Sequence, residues 1–202
     1  MKRAFLCCGA LLVVAVCAGA PGGGDSNPPA PQFTKDNELI RPTDYREWIY
    51  LSSGLGMNYG SSTTESADPA FDNVFVHPAA YRAFLDSGKW PDKTIFVLEN
   101  RSAKQHGSIN KSGHFQAELT GVEAAVKDES RFPEKWAYFG FGGPPSMRAS
   151  AKAFPANACY SCHTKNGAVE NTFVQFYPTL LPVAEAKGTL KASYPRDIPV
   201  SK

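Results

Sequence analysis

Phe115-Gln116-Ala117-Glu118-Leu119-Thr120-Gly121-Val122-Glu123-Ala124-Ala125-Val126-Lys127 alternates between two faces along its whole length. Phe115, Ala117, Leu119, Gly121 and Ala125 share one mainly apolar face by period two, so the segment reads as a long β-strand. Its end, Glu123 to Lys127, also admits a helical turn. Upstream, Phe71–His77 and Thr94–Asn100 show the same alternation, and Pro78 ends the first of them. Downstream, Trp136–Phe141 reads as another strand, and Ile49–Leu51 as a short extended piece. Gly54 to Pro69 is rich in Gly and Ser and reads as a loop. Helices are expected at Thr43–Trp48, at Ala79–Leu85 closed by Gly88, at Met147–Phe154, at Cys159–Thr164 and at Asn171–Tyr177. In the last, Phe173, Phe176, Tyr177 and Leu180 fall on one face, and Pro178 ends or kinks it. Strands come first and helices cluster late. That order predicts an α+β fold: a mainly antiparallel β-sheet with flanking helices and a C-terminal helical segment, not alternating βαβ units.

The N-terminus reads as an export signal. Lys2 and Arg3 precede the apolar run Ala4–Ala18, and Ala18-Gly19-Ala20 is a small-x-small cleavage site. Residues 1–20 are therefore assigned to a signal peptide, 21–36 to a flexible Pro- and Gly-rich linker and 37–202 to one domain. An exported location, the periplasm, follows. Cleavage would remove Lys2 and Arg3, leaving 19 basic against 19 acidic residues. With no basic surplus, nucleic acid is not an expected partner. Cleavage would also remove Cys7, Cys8 and Cys17, so that two of five cysteines remain.

Those two lie in Cys159-Tyr160-Ser161-Cys162-His163, the C-x-x-C-H pattern of covalent haem attachment. Two thiols one helical turn apart can each add to a vinyl group on one porphyrin edge, with the adjacent His163 beneath the iron. An exported C-x-x-C is also compatible with a redox dithiol, but that motif normally follows an early strand. Half a zinc site would need further Cys or His nearby, and the other histidines are scattered. The expected cofactor is one haem c.

No Met follows His163, so the usual second ligand of an electron-transfer haem is missing downstream. Met57, Met147, His77, His106 and His114 are the alternatives, and each of these residue types more often packs or hydrogen-bonds than ligates. The favoured state is five-coordinate iron ligated by His163. Phe71 and Phe75 on one strand face, and Phe96 with Leu98 on another, are candidate walls of the open side. Glu123, on the apolar face of its strand, needs a partner or a job.

An ordered set of segments resembles the cytochrome P460 family, which includes the cytochromes c′-beta. It comprises Tyr45-Arg46-Glu47-Trp48, Val74-Phe75-Val76-His77-Pro78 with Tyr81, and then Gly88, Asp92 and Thr94. Gly121-Val122-Glu123-Ala124, Val126-Lys127-Asp128, Arg131-Phe132 and Trp136-Ala137 follow, and Phe173-Val174-Gln175-Phe176-Tyr177-Pro178 comes after the haem motif. The resemblance implies a mainly antiparallel β domain, a His-ligated haem c, a redox partner protein and a homodimer. It also implies one of two functions. P460 enzymes oxidise hydroxylamine and carry a lysine cross-linked to haem, four residues after the Thr that matches Thr94. Here that position is Leu98, which has no nitrogen, and Lys93 falls on the opposite strand face. The departure favours a c′-beta-like protein, with an apolar distal pocket for diatomic ligands such as NO and CO. Glu123 matches an acidic distal residue that assists proton transfer in the family's enzymes, which keeps hydroxylamine oxidation as the alternative. A plain electron carrier is the third.

Overall fold

The computed structural model describes residues 29–59, 66 and 68–194. The signal peptide and the linker as far as residue 28 lie outside the described residues. Five strands form one antiparallel meander in chain order: β2 (Ile49–Leu55), β3 (Ala70–Val76), β4 (Ile95–Lys104), β5 (Phe115–Lys127) and β6 (Trp136–Gly142). A two-residue strand β1 (Leu39–Ile40) pairs separately with β7 (Ser150–Ala151). Helix α1 (Pro78–Ser87) joins β3 to β4, and α2 (Tyr160–Asn166) and α3 (Leu181–Ala186) follow the sheet. The α+β class expected from element order is the one observed, and β5 runs as a strand through to Lys127 rather than turning helical.

Period-two alternation sends side chains to two cores. Val97 on β4, Val122 and Val126 on β5 and Phe139 and Phe141 on β6 face one layer, closed by Leu39 and Tyr45. Val76, Phe96, Trp136 and Tyr138 face the other, closed by Phe84 of α1, Trp90 and the C-terminal residues Val169, Val174 and Leu180. Phe84 and Trp90 are fully buried with ring centroids 4.2 Å apart. Such a pair contributes about 0.5–1.5 kcal/mol beyond its burial. Helix α1 is delimited as the sequence suggests: His77 caps its start by accepting from Ala79 N, and Gly88 ends it at φ 69°.

Three expectations are corrected. Met147–Phe154 is not helical. Its backbone follows the β6 edge instead, with Arg148 N donating to Phe141 O and Phe154 N to Tyr138 O, so those ladder groups are satisfied by an irregular strand. Asn171–Tyr177 keeps only a 3₁₀ turn at Val174–Phe176, because Thr172 instead exchanges backbone bonds with Val169; the regular helix, α3, comes later, with proline in its first turn. The folded domain also begins earlier than residue 37. Phe33 bridges to Leu39, packs 6.2 Å from both Phe132 and Phe139, and carries the Arg131 guanidinium 4.0 Å over its ring.

Candidate functional site

Between the sheet and the C-terminal segments lies a cavity of about 490 Å³, within the range of about 300–1,000 Å³ typical of ligand sites. Strand register decides what faces it. Ser52, Val74, Leu98, Glu123 and Gly140 form one row across all five strands, and Gly54, Asp72, Asn100 and Gly121 the next. A third row runs through Val76, Phe96, Ala125 and Tyr138. From the C-terminal side, Cys159, Cys162, His163, Phe173, Phe176 and Tyr177 complete the wall.

The motif helix is organised around His163. Its amide donates to Cys159 O at 3.1 Å, so Cys159, Cys162 and the imidazole are carried on one turn. The ring sits 4.2 Å from that of Tyr138 and 4.4 Å from that of Phe173. Nδ1 lies 2.9 Å from the carbonyl oxygen of Asn171. A carbonyl only accepts, so Nδ1 carries the proton and the Nε2 lone pair is left for another partner. Burial holds the imidazole pKa below its ordinary value, which favours the neutral, ligating form; Lys191 acts in the same direction and the Asn171 bond opposes it. The Asn171 carbonyl is itself held in place: Tyr138 Oη donates to it at 3.2 Å, and Thr164 Oγ1 donates to Asn171 Oδ1 at 2.8 Å. Gly167 lets this loop fold back on α2, since a Cβ there would lie 2.8 Å from both His163 O and Thr172 N.

The two alternatives for the motif fit poorly. Burial pushes the Cys159 thiol up, and the neighbouring Glu123 and Cys162 add to the shift, whereas a redox dithiol needs a thiolate made easier. Among the described residues no group of three or more His, Cys, Asp or Glu is placed to hold a bare metal ion, as a zinc site would require. The donor set present is two thiols one turn apart and one neutral imidazole beside a largely apolar cavity, and this suits a porphyrin. A match of the cytochrome P460 family model over residues 42–174, well over half of the 202, accords with that donor set.

The chain belongs to the cytochrome P460 family. Membership implies a haem cofactor. No curated protein matches the chain.

Of the residues expected in this P460-type site, the structure brings together Phe96, Leu98, Glu123, Cys159, Cys162 and His163. Phe71 and Phe75 are not in it. Their odd-numbered face of β3 points to the other layer, where Phe75 packs 5.5 Å from Tyr45 and 5.7 Å from Tyr50. The even face supplies Asp72 and Val74 instead. Lys93 is also elsewhere, paired with Asp128 and Ser130. Met57 lines the cavity, lodged over Gly54 with Tyr59 Oη donating to its sulfur at 3.6 Å, whereas Met147 packs in the opposite core. None of His77, His106 and His114 lines the cavity.

Sequence reasoning missed Asp72, and it placed Asn100 on the face of Phe96 and Leu98 without giving it a role. Period two gave two faces of β3 and no means of choosing between them; the other phase would have placed Asp72 with Val74. The wall expected to be apolar therefore carries three oxygen acceptors. Asp72 and Glu123 have no hydrogen-bond or ion-pair partner among the described residues, and Asn100 Oδ1 is buried without one. Burial raises both carboxyls, and in Glu123 the charge of Asp72 adds to it. Glu123 is thus exposed to the cavity, with the surrounding protein and Asp72 raising its carboxyl.

Proposed function

We propose that this P460-family protein is an exported c-type cytochrome. In this reading one haem is held by thioethers to Cys159 and Cys162, His163 is its iron ligand, and the second axial position is left for a small diatomic ligand such as NO or CO. The observation that supports the reading is the His163 Nδ1–Asn171 carbonyl bond of 2.9 Å, which leaves Nε2 as the ligating nitrogen of a histidine that lines the same cavity as both thiols. Bound haem would supply a redox-active iron with one coordination position free; the protein's own residues do the rest. Tyr138 and Phe173 fix the ring plane of His163, and the Asn171 carbonyl makes its imidazole a stronger donor. Leu98, Val74 and Phe96 present side chains without hydrogen-bond donors, which favours neutral ligands over anions. Met57 is the one thioether in the cavity among the described residues, and it is held by Tyr59 and the sheet. A periplasmic location, a redox partner protein and a homodimer belong to the same proposal. Among the described residues no helix is long and apolar enough to cross a membrane. Adding CO to the ferrous protein tests the reading: a saturable shift of the main absorption band is expected, and no shift at any CO concentration overturns it.

A second reading is favoured by the placement of Glu123. A carboxyl with a raised pKa, reachable from the cavity and beside Leu98, is suited to accept protons from a hydroxylamine-like substrate. Leu98, standing where the cross-linking lysine would be, counts against it. If the protein oxidises hydroxylamine, the Glu123→Gln variant is expected to lose about 100-fold or more in turnover with haem content unchanged, within the range general bases supply. Unchanged turnover removes Glu123 from that role.

A further inference from the structure

The loop that presents the Asn171 carbonyl is gripped on both sides of Asn171, and both grips lead to the end of β5. Before it, Glu170 Oε1 accepts from Lys127 Nζ at 3.1 Å. After it, Thr172 Oγ1 accepts from Trp90 Nε1 at 2.9 Å and donates to Val169 O at 2.7 Å. Lys127 joins the two grips, because its Nζ also donates to Trp90 O at 2.7 Å.

Lys127 is the last residue of β5, the strand that carries Glu123 and Ala125 into the cavity, and its side chain is only 8% exposed. Glu129 approaches it at 3.4 Å from the solvent side, so Glu170 is its inward partner. Lys191 is the other cation near Glu170, and it is engaged with Thr164 O at 2.7 Å. Glu170 has φ 50°, the left-handed region that a residue with a Cβ rarely adopts, and its Oε2 is buried without a partner. A half-buried carboxylate in a disfavoured backbone conformation persists only where its surroundings enforce it. What it secures is the orientation of the next residue's carbonyl, the one that accepts from His163.

We infer that Lys127 and Glu170, acting with Trp90, are positioning residues that set the strength of the His163–Asn171 hydrogen bond and so tune the iron–histidine bond and the reduction potential. The inference rests on the reading of His163 as the iron ligand. Imidazole donates more strongly the more fully its Nδ1 proton is shared with an acceptor. Loosening the carbonyl therefore weakens the iron–imidazole bond and stabilises the ferric state less.

The test is the iron–histidine stretching frequency of the ferrous holoprotein, measured with the reduction potential, in Lys127→Met, Glu170→Gln and the Lys127→Met/Glu170→Met double variant. The double variant replaces the pair with apolar side chains and leaves no buried charge alone, so it stays folded where Lys127→Met does not. Every folded variant is expected to show a lower stretching frequency and a higher potential than the parent. Through-space charge alone would move the potential in opposite directions in the two single variants with the frequency unchanged, and that result overturns the inference. So does a parental frequency in the double variant. If the parent protein itself shows no iron–histidine band, the reading of His163 as the iron's single axial ligand has failed, and the inference fails with it for that separate reason.

Discussion

A His163→Ala protein is expected to lose the only imidazole in the cavity among the described residues, and with it the ligand proposed for the haem iron. Changes to residues that merely orient a metal ligand cost about 10–100-fold in metal affinity, so removal of the ligand itself sets that range as a lower bound. Cys159 and Cys162 are untouched by the substitution, and covalent attachment through them is expected to continue at reduced yield. The variant would then carry haem whose spectrum lacks the histidine signature, and added imidazole would restore it by entering the space between Tyr138 and Phe173. Electronic spectra with and without imidazole are the measurement. A parental spectrum in His163→Ala would show that another side chain holds the iron. The opposite failure, complete absence of attached haem with the protein still folded, would mean that His163 is required before the thiols react.

The largest effect on stability is expected at Glu99, on the opposite face of the sheet. Its carboxylate is almost fully buried and accepts from Tyr45 Oη at 2.5 Å, from Arg46 Nη2 at 2.6 Å and from Arg101 Nε at 2.5 Å. Arg46 is half exposed, so its contribution is screened, but Arg101 and Tyr45 are not free to turn to water without disturbing β4 and the turn at Tyr45–Glu47. Glu99→Ala leaves a cation and a phenol without their acceptor. Breaking a buried ionic cluster in this way costs about 3–5 kcal/mol, read as a fall in the denaturation midpoint. Burial alone would raise the Glu99 carboxyl, but the bonds from Arg101, Tyr45 and Arg46 outweigh it and hold the pKa at about 2. The sign follows directly. A depressed folded pKa contributes stability that is complete above the unfolded value of about 4.5 and is lost as pH falls toward 2. The parent is expected to lose stability across that window, and Glu99→Ala to lose less over the same range. Parallel pH profiles would contradict this. Burial and the bond to Glu99 push the Tyr45 hydroxyl up to about 12, so it remains a donor through neutral pH.

Local signals were legible where one residue type decides the outcome. Gly88 marked the end of α1, alternation marked β5 to its observed bounds, and the C-x-x-C-H spacing marked α2 as the helix of the site. What alternation could not supply was phase. On β3 both faces contain large apolar residues, Phe71 and Phe75 on one and Val74 and Val76 on the other, and only pairing of Val74 with Leu98 fixes which face meets the cavity. The Met147–Phe154 error has a different cause: a periodic apolar pattern suits either a helix or the edge of β6, and the choice was made by unpaired carbonyls on Phe141 and Tyr138, which no short window contains. The Glu99 cluster and the Lys127–Glu170 pair were invisible for the same reason, since each joins residues more than forty positions apart.

Electron paramagnetic resonance of the purified, resting ferric protein addresses His163-ligated iron with a free second position more directly than any other measurement. A high-spin axial haem signal is expected; chemical reduction with dithionite abolishes it, and NO added to the ferrous protein then gives the signal of a nitrosyl adduct. A purely low-spin signal, as Met57 ligation would give, contradicts the open position, and a protein without any haem signal contradicts the site itself.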